Sequence, residues 1–257
     1  MQQITTEDVA SWWPFPDESS DKYGRGVVGL DTGSAQYPGA ALLGCTGALH
    51  AGAGMVRYTG PAAHGLILTR FPSVVVAAGR VQSLVVGSGW GERDREARFA
   101  AALRQAVPLV IDADALALLP ADLPAGSLLT PHAGELARLL GVSRAGVVAD
   151  PVRHAALAAR RFGATVLLKG GTQYVVTPGG DVSLPVRGPA WTAQAGSGDV
   201  LAGACGALLA TGCDARTAAL LAASLQAMAA VAFPGPYPPD RLAERFADVL
   251  GSMPGGF

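Results

Sequence analysis

The residues best placed to do chemistry lie in Ala195-Gly196-Ser197-Gly198-Asp199-Val200-Leu201-Ala202-Gly203. A loop of small residues carries one carboxylate and passes at once into an apolar run, Val200 to Thr211, which reads as a helix. A helix start leaves backbone N–H groups unpaired and carries partial positive charge, so it favours an anion. Gly196, Ser197 and Gly198 would let a phosphate approach the backbone closely. Asp199 is out of place on a pure phosphate cradle. It fits better as a general base aimed at a hydroxyl beside the phosphate being transferred. The blander reading is an ordinary loop in which Asp199 caps a helix.

Other polar residues gather at strand ends. Asp112 and Asp114 would project to one side if their strand continued, since strand side chains alternate, and two carboxylates there could hold Mg²⁺ or its waters. Asp114 serves equally well as a helix cap. His132 opens a helix, where a neutral imidazole can hydrogen-bond a ligand or simply cap the end. Glu135, one turn on, could order a metal-bound water or complement the helix dipole. Lys169 ends a strand and enters Gly170-Gly171-Thr172. Gly87-Ser88-Gly89-Trp90-Gly91 also follows a strand, but its third glycine comes one residue too early for a dinucleotide fingerprint. There is no GxxxxGK[ST] loop. His50, His64 and His154 suggest neither a triad nor a metal set.

The elements that must position these groups alternate. Buried-strand patterns read at Val27–Leu30, Met55–Thr59, Ser83–Val86, Leu109–Ile111, Ser127–Thr130 and Ala164–Leu168. Helical patterns follow at Ala40–Ala51, Asp94–Ala106, Pro131–Gly141 and Pro151–Phe162. Gln173–Thr177 and Val182–Val186 read as a hairpin about Pro178-Gly179-Gly180. Ala215–Phe233 and Asp240–Leu250 close the chain as helices, while Leu66–Arg70 and Val74–Ala78 carry no clear period. The alternation predicts an α/β fold with a mostly parallel sheet, helices on both faces, and ligands at the carboxyl ends of the strands. No linker divides the chain, which predicts one domain over 1–257 with an N-terminal extension over 1–21.

Composition narrows the setting. The 257 residues carry a net charge of −1, which leaves no electrostatic footprint for nucleic acid or an anionic membrane. Cys45, Cys205 and Cys213 lack metal-ligand spacing and read as reduced thiols in a cytoplasmic protein. The N-terminus is unlike a signal peptide, and no apolar run is expected to reach membrane-spanning length, which predicts a soluble protein. Only 15% of residues are charged, and Val200–Ala210 and Ala218–Ala232 are apolar. Together these predict surface to spare for a homo-oligomer.

The chain resembles the ADP/ATP-dependent NAD(P)H-hydrate dehydratases, of the ribokinase-like fold. The resemblance runs from about Tyr23 to Phe233. It is carried by Tyr37-Pro38-Gly39-Ala40-Ala41-Leu42-Leu43, Ala51-Gly52-Ala53-Gly54-Met55-Val56, Val86-Gly87-Ser88-Gly89-Trp90-Gly91 and Ile111-Asp112-Ala113-Asp114-Ala115-Leu116. Leu129-Thr130-Pro131-His132-Ala133-Gly134-Glu135, Leu168-Lys169-Gly170 and Gly196 to Gly203 complete it. The last motif is common to many ribokinase-like kinases, whereas the Thr-Pro-His-x-Gly-Glu run and Asp-Ala-Asp-Ala-Leu are more specific. The resemblance implies contacts to a hydrated nicotinamide dinucleotide at Ala40, Gly91, His132 and Asp199. It implies an adenine nucleotide on Lys169, Gly170, Gly171, Thr172, Gln173, Gly196, Ser197 and Gly198, and a Mg²⁺ shell ordered by Glu135. It also implies a homo-oligomer, a tetramer by preference, and a separate epimerase protein, since relatives are often fused to one. Members often have Pro at the positions of Ser88 and Ala133, Thr at Gln173 and Asn at Ala117.

The implied activity is metabolite repair: nucleotide-dependent dehydration of the S-form of hydrated NADH or NADPH, with ADP or ATP as phosphoryl donor. A ribokinase-like kinase acting on a vitamin-precursor alcohol is the alternative, and a non-catalytic nucleotide-binding protein is a third.

Overall fold

The computed structural model describes residues 1–255 of the chain. Nine strands form one sheet: β1 (Gln2–Gln3), β2 (Val27–Asp31), β3 (Met55–Tyr58), β4 (Ser83–Val86), β5 (Leu109–Ile111), β6 (Leu128–Leu129), β7 (Thr165–Leu168), β8 (Tyr174–Val176) and β9 (Val182–Leu184). Their spatial order is β1-β9-β8-β7-β6-β5-β4-β2-β3. The six strands from β7 to β3 are parallel; β8 runs antiparallel to both neighbours, and β1 pairs in parallel with β9. Gln2–Gln3, expected in an extension, therefore seal a sheet edge, and Ile4 just beyond is buried.

Eleven helices are formed by the described residues: α1 (Thr6–Trp12), α2 (Pro38–His50), α3 (His64–Arg70), α4 (Arg95–Leu103), α5 (Ala133–Leu140), α6 (Arg144–Ala149), α7 (Pro151–Phe162), α8 (Ser197–Ala210), α9 (Ala215–Ala232), α10 (Pro239–Ala243) and α11 (Phe246–Gly251). Period-two alternation along the strands divides the core in two. Val28, Leu30, Val85, Val110, Leu128 and Leu167 pack beneath α2, α8 and α9. Leu84, Val86, Leu109, Ile111, Val166 and Leu168 pack beneath α4, α5 and α7. The two patterns without a clear period resolve as α3 and a single bridge from Val75 to Arg57. The expected helix over Asp240–Leu250 is two short ones, α10 and α11.

Two expectations about the apolar helices need correction. Helix α9 is long and apolar enough to cross a membrane, with a mean hydropathy of 1.3 over 18 residues. Its composition reflects burial instead, for it lies over β6, β7 and β8 and against α8. Every residue of α8 from Val200 to Ala210 is buried too. Most of the apolar surface that suggested an oligomer is thus covered within the chain, with Val231 and Ala232 left exposed at the end of α9. Helices α2 and α8 cross with backbones in contact, because a Cβ on Gly47 would strike the Val200 carbonyl and one on Gly203 the Gly44 carbonyl. That crossing sets the start of α2, which carries Ala40, against the start of α8, which carries Asp199.

Candidate functional site

Strand order reverses between β2 and β4, so the loops leaving these two strands separate and open a crevice at their carboxyl ends. The end of β2 supplies Asp31 to Gly33, and the end of β4 supplies Gly87 to Gly91. Asp112 follows β5, Thr130 follows β6 and Lys169 follows β7. The start of α8 points into the same region.

Asp112 ties these loops together. Its Oδ1 accepts from the Lys169 ammonium at 2.6 Å and from the Thr130 hydroxyl at 2.8 Å; its Oδ2 accepts from the Ser88 hydroxyl at 2.9 Å. The expected shared face of Asp112 and Asp114 is not formed. The strand stops at Ile111, Ala113 turns left-handed at φ 46°, and a 3₁₀ turn over Ala113–Leu118 carries Asp114 away to accept the Gly91 N–H at 2.9 Å. With both oxygens occupied, Asp112 is an internal counter-charge and not an open metal ligand. Among the described residues no three His, Cys, Asp or Glu side chains form a metal cage.

The cradle has the expected form. Gly196 adopts φ 90°, a left-handed conformation natural to glycine, and sits at the N-cap of α8. The Ser197 N–H is taken by the Gln194 carbonyl and the Val200 N–H by the Gly196 carbonyl. The amides of Gly198 and Asp199 have no acceptor among the described residues and face the crevice as free donors. A Cβ on Gly198 would lie 3.2 Å from Lys169 Nζ, so the ammonium stands directly beside the cradle.

Burial in this crevice raises the Asp199 carboxyl to a pKa of about 6, and the Asp112 charge adds to the rise; Lys169 and the nearby Ser88 hydroxyl oppose it. A carboxylate so placed is ionised at neutral pH yet basic enough to accept a proton. Burial also works against the Lys169 charge, but Asp112, Glu135 and Asp199 outweigh it and hold the ammonium above its ordinary range.

His132 and Glu135 form a reciprocal cap on α5. The His132 Nδ1 accepts from the Gly134 and Glu135 amides at 3.0 and 3.2 Å, and Glu135 Oε2 accepts the His132 backbone N–H at 2.8 Å. An Nδ1 used as acceptor places the ring proton on Nε2, which is the donor that His132 can offer a ligand. His132 thus caps α5 with Nδ1, while its Nε2 lies 3.5 Å from Glu135 Oε1.

A cavity of about 730 Å³ gathers His132, Lys169, Gly170, Gly171, Thr172, Gln173, Ser197 and Gly198 on one side of the cradle. Ala40, Gly91 and Asp199 are not part of its lining. Ala40 packs against Gly89, Gly91 is beside the Tyr37 ring, and Asp199 stands in the first turn of α8. The sequence reading missed Gln3, Gln194 and Gln226, which also line the cavity. Gln226 donates to the Ser197 carbonyl at 3.1 Å and so braces the cradle. Its signal was available, a lone amide in the apolar helix α9. Gln173, at a position where related chains often carry Thr, buries its Oε1 without a hydrogen-bond partner.

Comparison with known proteins identifies the family. Residues 28–247 match the family pattern described as NAD(P)H-hydrate dehydratase. A bifunctional NAD(P)H-hydrate repair enzyme of Mycobacterium leprae is 47% identical over 249 residues, covering 91% of this chain and 52% of that protein. The chain thus spans about half the length of that relative. An ADP-dependent (S)-NAD(P)H-hydrate dehydratase of Xanthomonas campestris is 36% identical over 231 residues, covering 80% of each. The crystal structure of the ADP/ATP-dependent NAD(P)H-hydrate dehydratase of Bacillus subtilis, co-crystallised with ATP and Mg²⁺, superposes with a TM-score of 0.89 at 24% identity, covering 98% of this chain and 99% of that one. At that identity the likeness shows the fold, which is ribokinase-like. On the pattern and on the Xanthomonas relative together, the chain belongs to the NAD(P)H-hydrate dehydratase family.

Proposed function

We propose that this protein dehydrates the S-form of hydrated NADH or NADPH to the parent dinucleotide while consuming one adenine nucleotide. The observation that carries this reading is the pairing of Asp199, a buried base with a pKa of about 6, with the two free amides at the start of α8. A proton acceptor and an anion cradle are what phosphorylation of a hydroxyl requires.

The relatives are named as ADP- or ATP-dependent, and the cavity beside the cradle fits such a nucleotide. Its phosphates would lie on the Gly198 and Asp199 amides next to the Lys169 ammonium, with the rest of the nucleotide along Gly170 to Gln173. The hydrate would lie against Ala40 and Gly91 beside Asp199, and His132, which lines the nucleotide cavity, would offer Nε2 where the two ligands meet. Asp199 takes the proton of the ring hydroxyl as that oxygen attacks the terminal phosphorus. The phosphate ester formed is a good leaving group, as hydroxide is not. The lone pair of the adjacent ring nitrogen expels phosphate, and loss of a neighbouring proton restores the dihydropyridine. ADP becomes AMP, or ATP becomes ADP.

Mg²⁺ accompanies the nucleotide in the Bacillus structure, and the residues here fit it. Glu135 Oε1 is not used in the cap, and one carboxylate reaching waters of a phosphate-bound Mg²⁺ is the usual arrangement for this ion. When bound, it would neutralise charge on the phosphates. The free Cys45, Cys205 and Cys213 thiols favour a reducing, cytoplasmic setting. Homo-oligomerisation belongs to this proposal as well, now without support from α8 or α9.

The test is direct. Hydrated NADH, nucleotide and Mg²⁺ should yield NADH and inorganic phosphate in equal amounts, followed by absorbance and phosphorus NMR. A stable phosphomonoester on a vitamin-precursor alcohol, with hydrated NADH untouched, would assign the site to a kinase.

A further inference from the structure

Asp112 is 2% exposed and touches no space a substrate could enter. Donors from three strand ends converge on it: Ser88 after β4, Thr130 after β6 and Lys169 after β7. Folding gains little from such a group, because taking two charges out of water offsets most of their attraction. What the arrangement does achieve is order. A lysine side chain has four rotatable bonds and a strongly hydrated head, and here that head is fixed beside Gly198 with its side chain only 17% exposed.

We propose that Asp112 is a positioning residue that acts through Lys169: it holds the ammonium at the mouth of α8, ready for the phosphate oxygens of an adenine nucleotide, while Ser88 and Thr130 aim its carboxylate. The proposal rests on the nucleotide reading of the cavity given above. Two other acids attract the ammonium, Glu135 from α5 and Asp199 from α8. Both would compete for it if Asp112 were neutral. The same carboxylate acts on the base, because its charge, with those of Lys169 and Glu135 and the Ser88 hydroxyl, faces Asp199.

A double-variant cycle tests this on nucleotide binding, without turnover. ADP affinity is measured by calorimetry for the wild-type protein, Asp112→Asn, Lys169→Met and the double variant, with thermal melts alongside. Asp112→Asn should weaken ADP about tenfold, and Lys169→Met roughly tenfold to a hundredfold, as befits loss of a charge-assisted contact. The double variant should bind within about twofold of Lys169→Met. It should also melt higher than either single variant, since each of those leaves one buried charge without its partner and the double variant leaves none. Recovered stability without recovered affinity separates positioning from mere support of the fold. In Asp112→Asn, the acid limb of the kcat/KM profile should also move to lower pH, because a negative neighbour of Asp199 is gone while Lys169 stays. If a single variant does not fold, Thr130→Val takes its place: it should weaken ADP about threefold in the wild-type background and not at all in the double variant. Asp112→Asn with wild-type ADP affinity, or losses that add in the double variant, would overturn the proposal. A wild-type protein that takes up no adenine nucleotide would overturn the reading of the site itself, and this proposal with it.

Discussion

Replacing Asp199 by asparagine should lower turnover and raise stability together. The side chain keeps its size and its place in the first turn of α8, but it no longer accepts a proton. Loss of a general base lowers kcat by ~10²–10⁴-fold. The stability gain follows from the shift of the carboxyl from 3.8 to about 6, whose first cause is burial. A raised carboxylate pKa means that the fold disfavours the ionised form. The cost is therefore absent below pH ~4, where the group is protonated in both folded and unfolded chains, grows between the two pKa values, and is complete above ~6. At 1.36 kcal/mol per unit it reaches roughly 3 kcal/mol. Asparagine does not ionise, so the variant should exceed the wild type by up to that amount at pH 7.5 and match it at pH 4. For a chain of this size the difference is about 5–10 °C in Tm at pH 7.5. Nucleotide affinity should hold or rise, because an anion next to the phosphates is removed. Melts of both proteins across pH 4–8, with calorimetry for ADP and a turnover assay, read all three quantities. A Tm difference that does not change with pH, or a variant with near wild-type turnover, would refute the assignment of Asp199 as a strained base.

The wild-type kcat/KM should fall tenfold per pH unit below about 6, where Asp199 takes up a proton, and stay level just above it; initial rates in a three-buffer mix would show this. His132→Asn retains a good N-cap and should keep the stability of α5, whereas His132→Ala should lose about 1 kcal/mol; both should raise KM for the hydrate, as melts and kinetics would register. Gly198→Ala puts a methyl group 3.2 Å from Lys169 Nζ and should raise the nucleotide Kd several-fold with little change in Tm, measured by calorimetry. Gly203→Ala drives a methyl into the Gly44 carbonyl at the α2–α8 crossing, and should cost 1–3 kcal/mol or more of stability while reducing turnover through displaced Ala40 and Asp199, as denaturant melts and rates would reveal.

Much of this site is legible in the sequence because its parts obey local rules. Helix starts with small residues, strands of continuous apolar character and glycines at strand ends have short-range causes, and α8, α5 and β7 form close to where those causes place them. The Asp112 pair fails as a prediction for an equally local reason that the residue names hide. Alanine rarely adopts positive φ, so nothing in Asp112-Ala113-Asp114 announces that Ala113 does so, and one backbone turn sends the two carboxylates to different partners. The network around Asp112 was out of reach for another reason. Ser88, Thr130 and Lys169 are 24, 18 and 57 residues from Asp112, and only the sheet order β7-β6-β5-β4 makes them neighbours. The apolar helices show the converse. Low charge over Val200–Ala210 and Ala218–Ala232 is the mark of burial, but composition does not say against what, and here the sheet and the neighbouring helices cover all of the first run and most of the second. Residue types thus identified the groups able to move a proton or hold a phosphate. Which carboxylate faces the crevice and which holds a lysine depended on topology, since both lie at the same end of one sheet. The difference between them is the company each keeps: Asp112 is committed to three donors, while burial and the Asp112 charge raise the Asp199 carboxyl against the pull of Lys169 and Ser88.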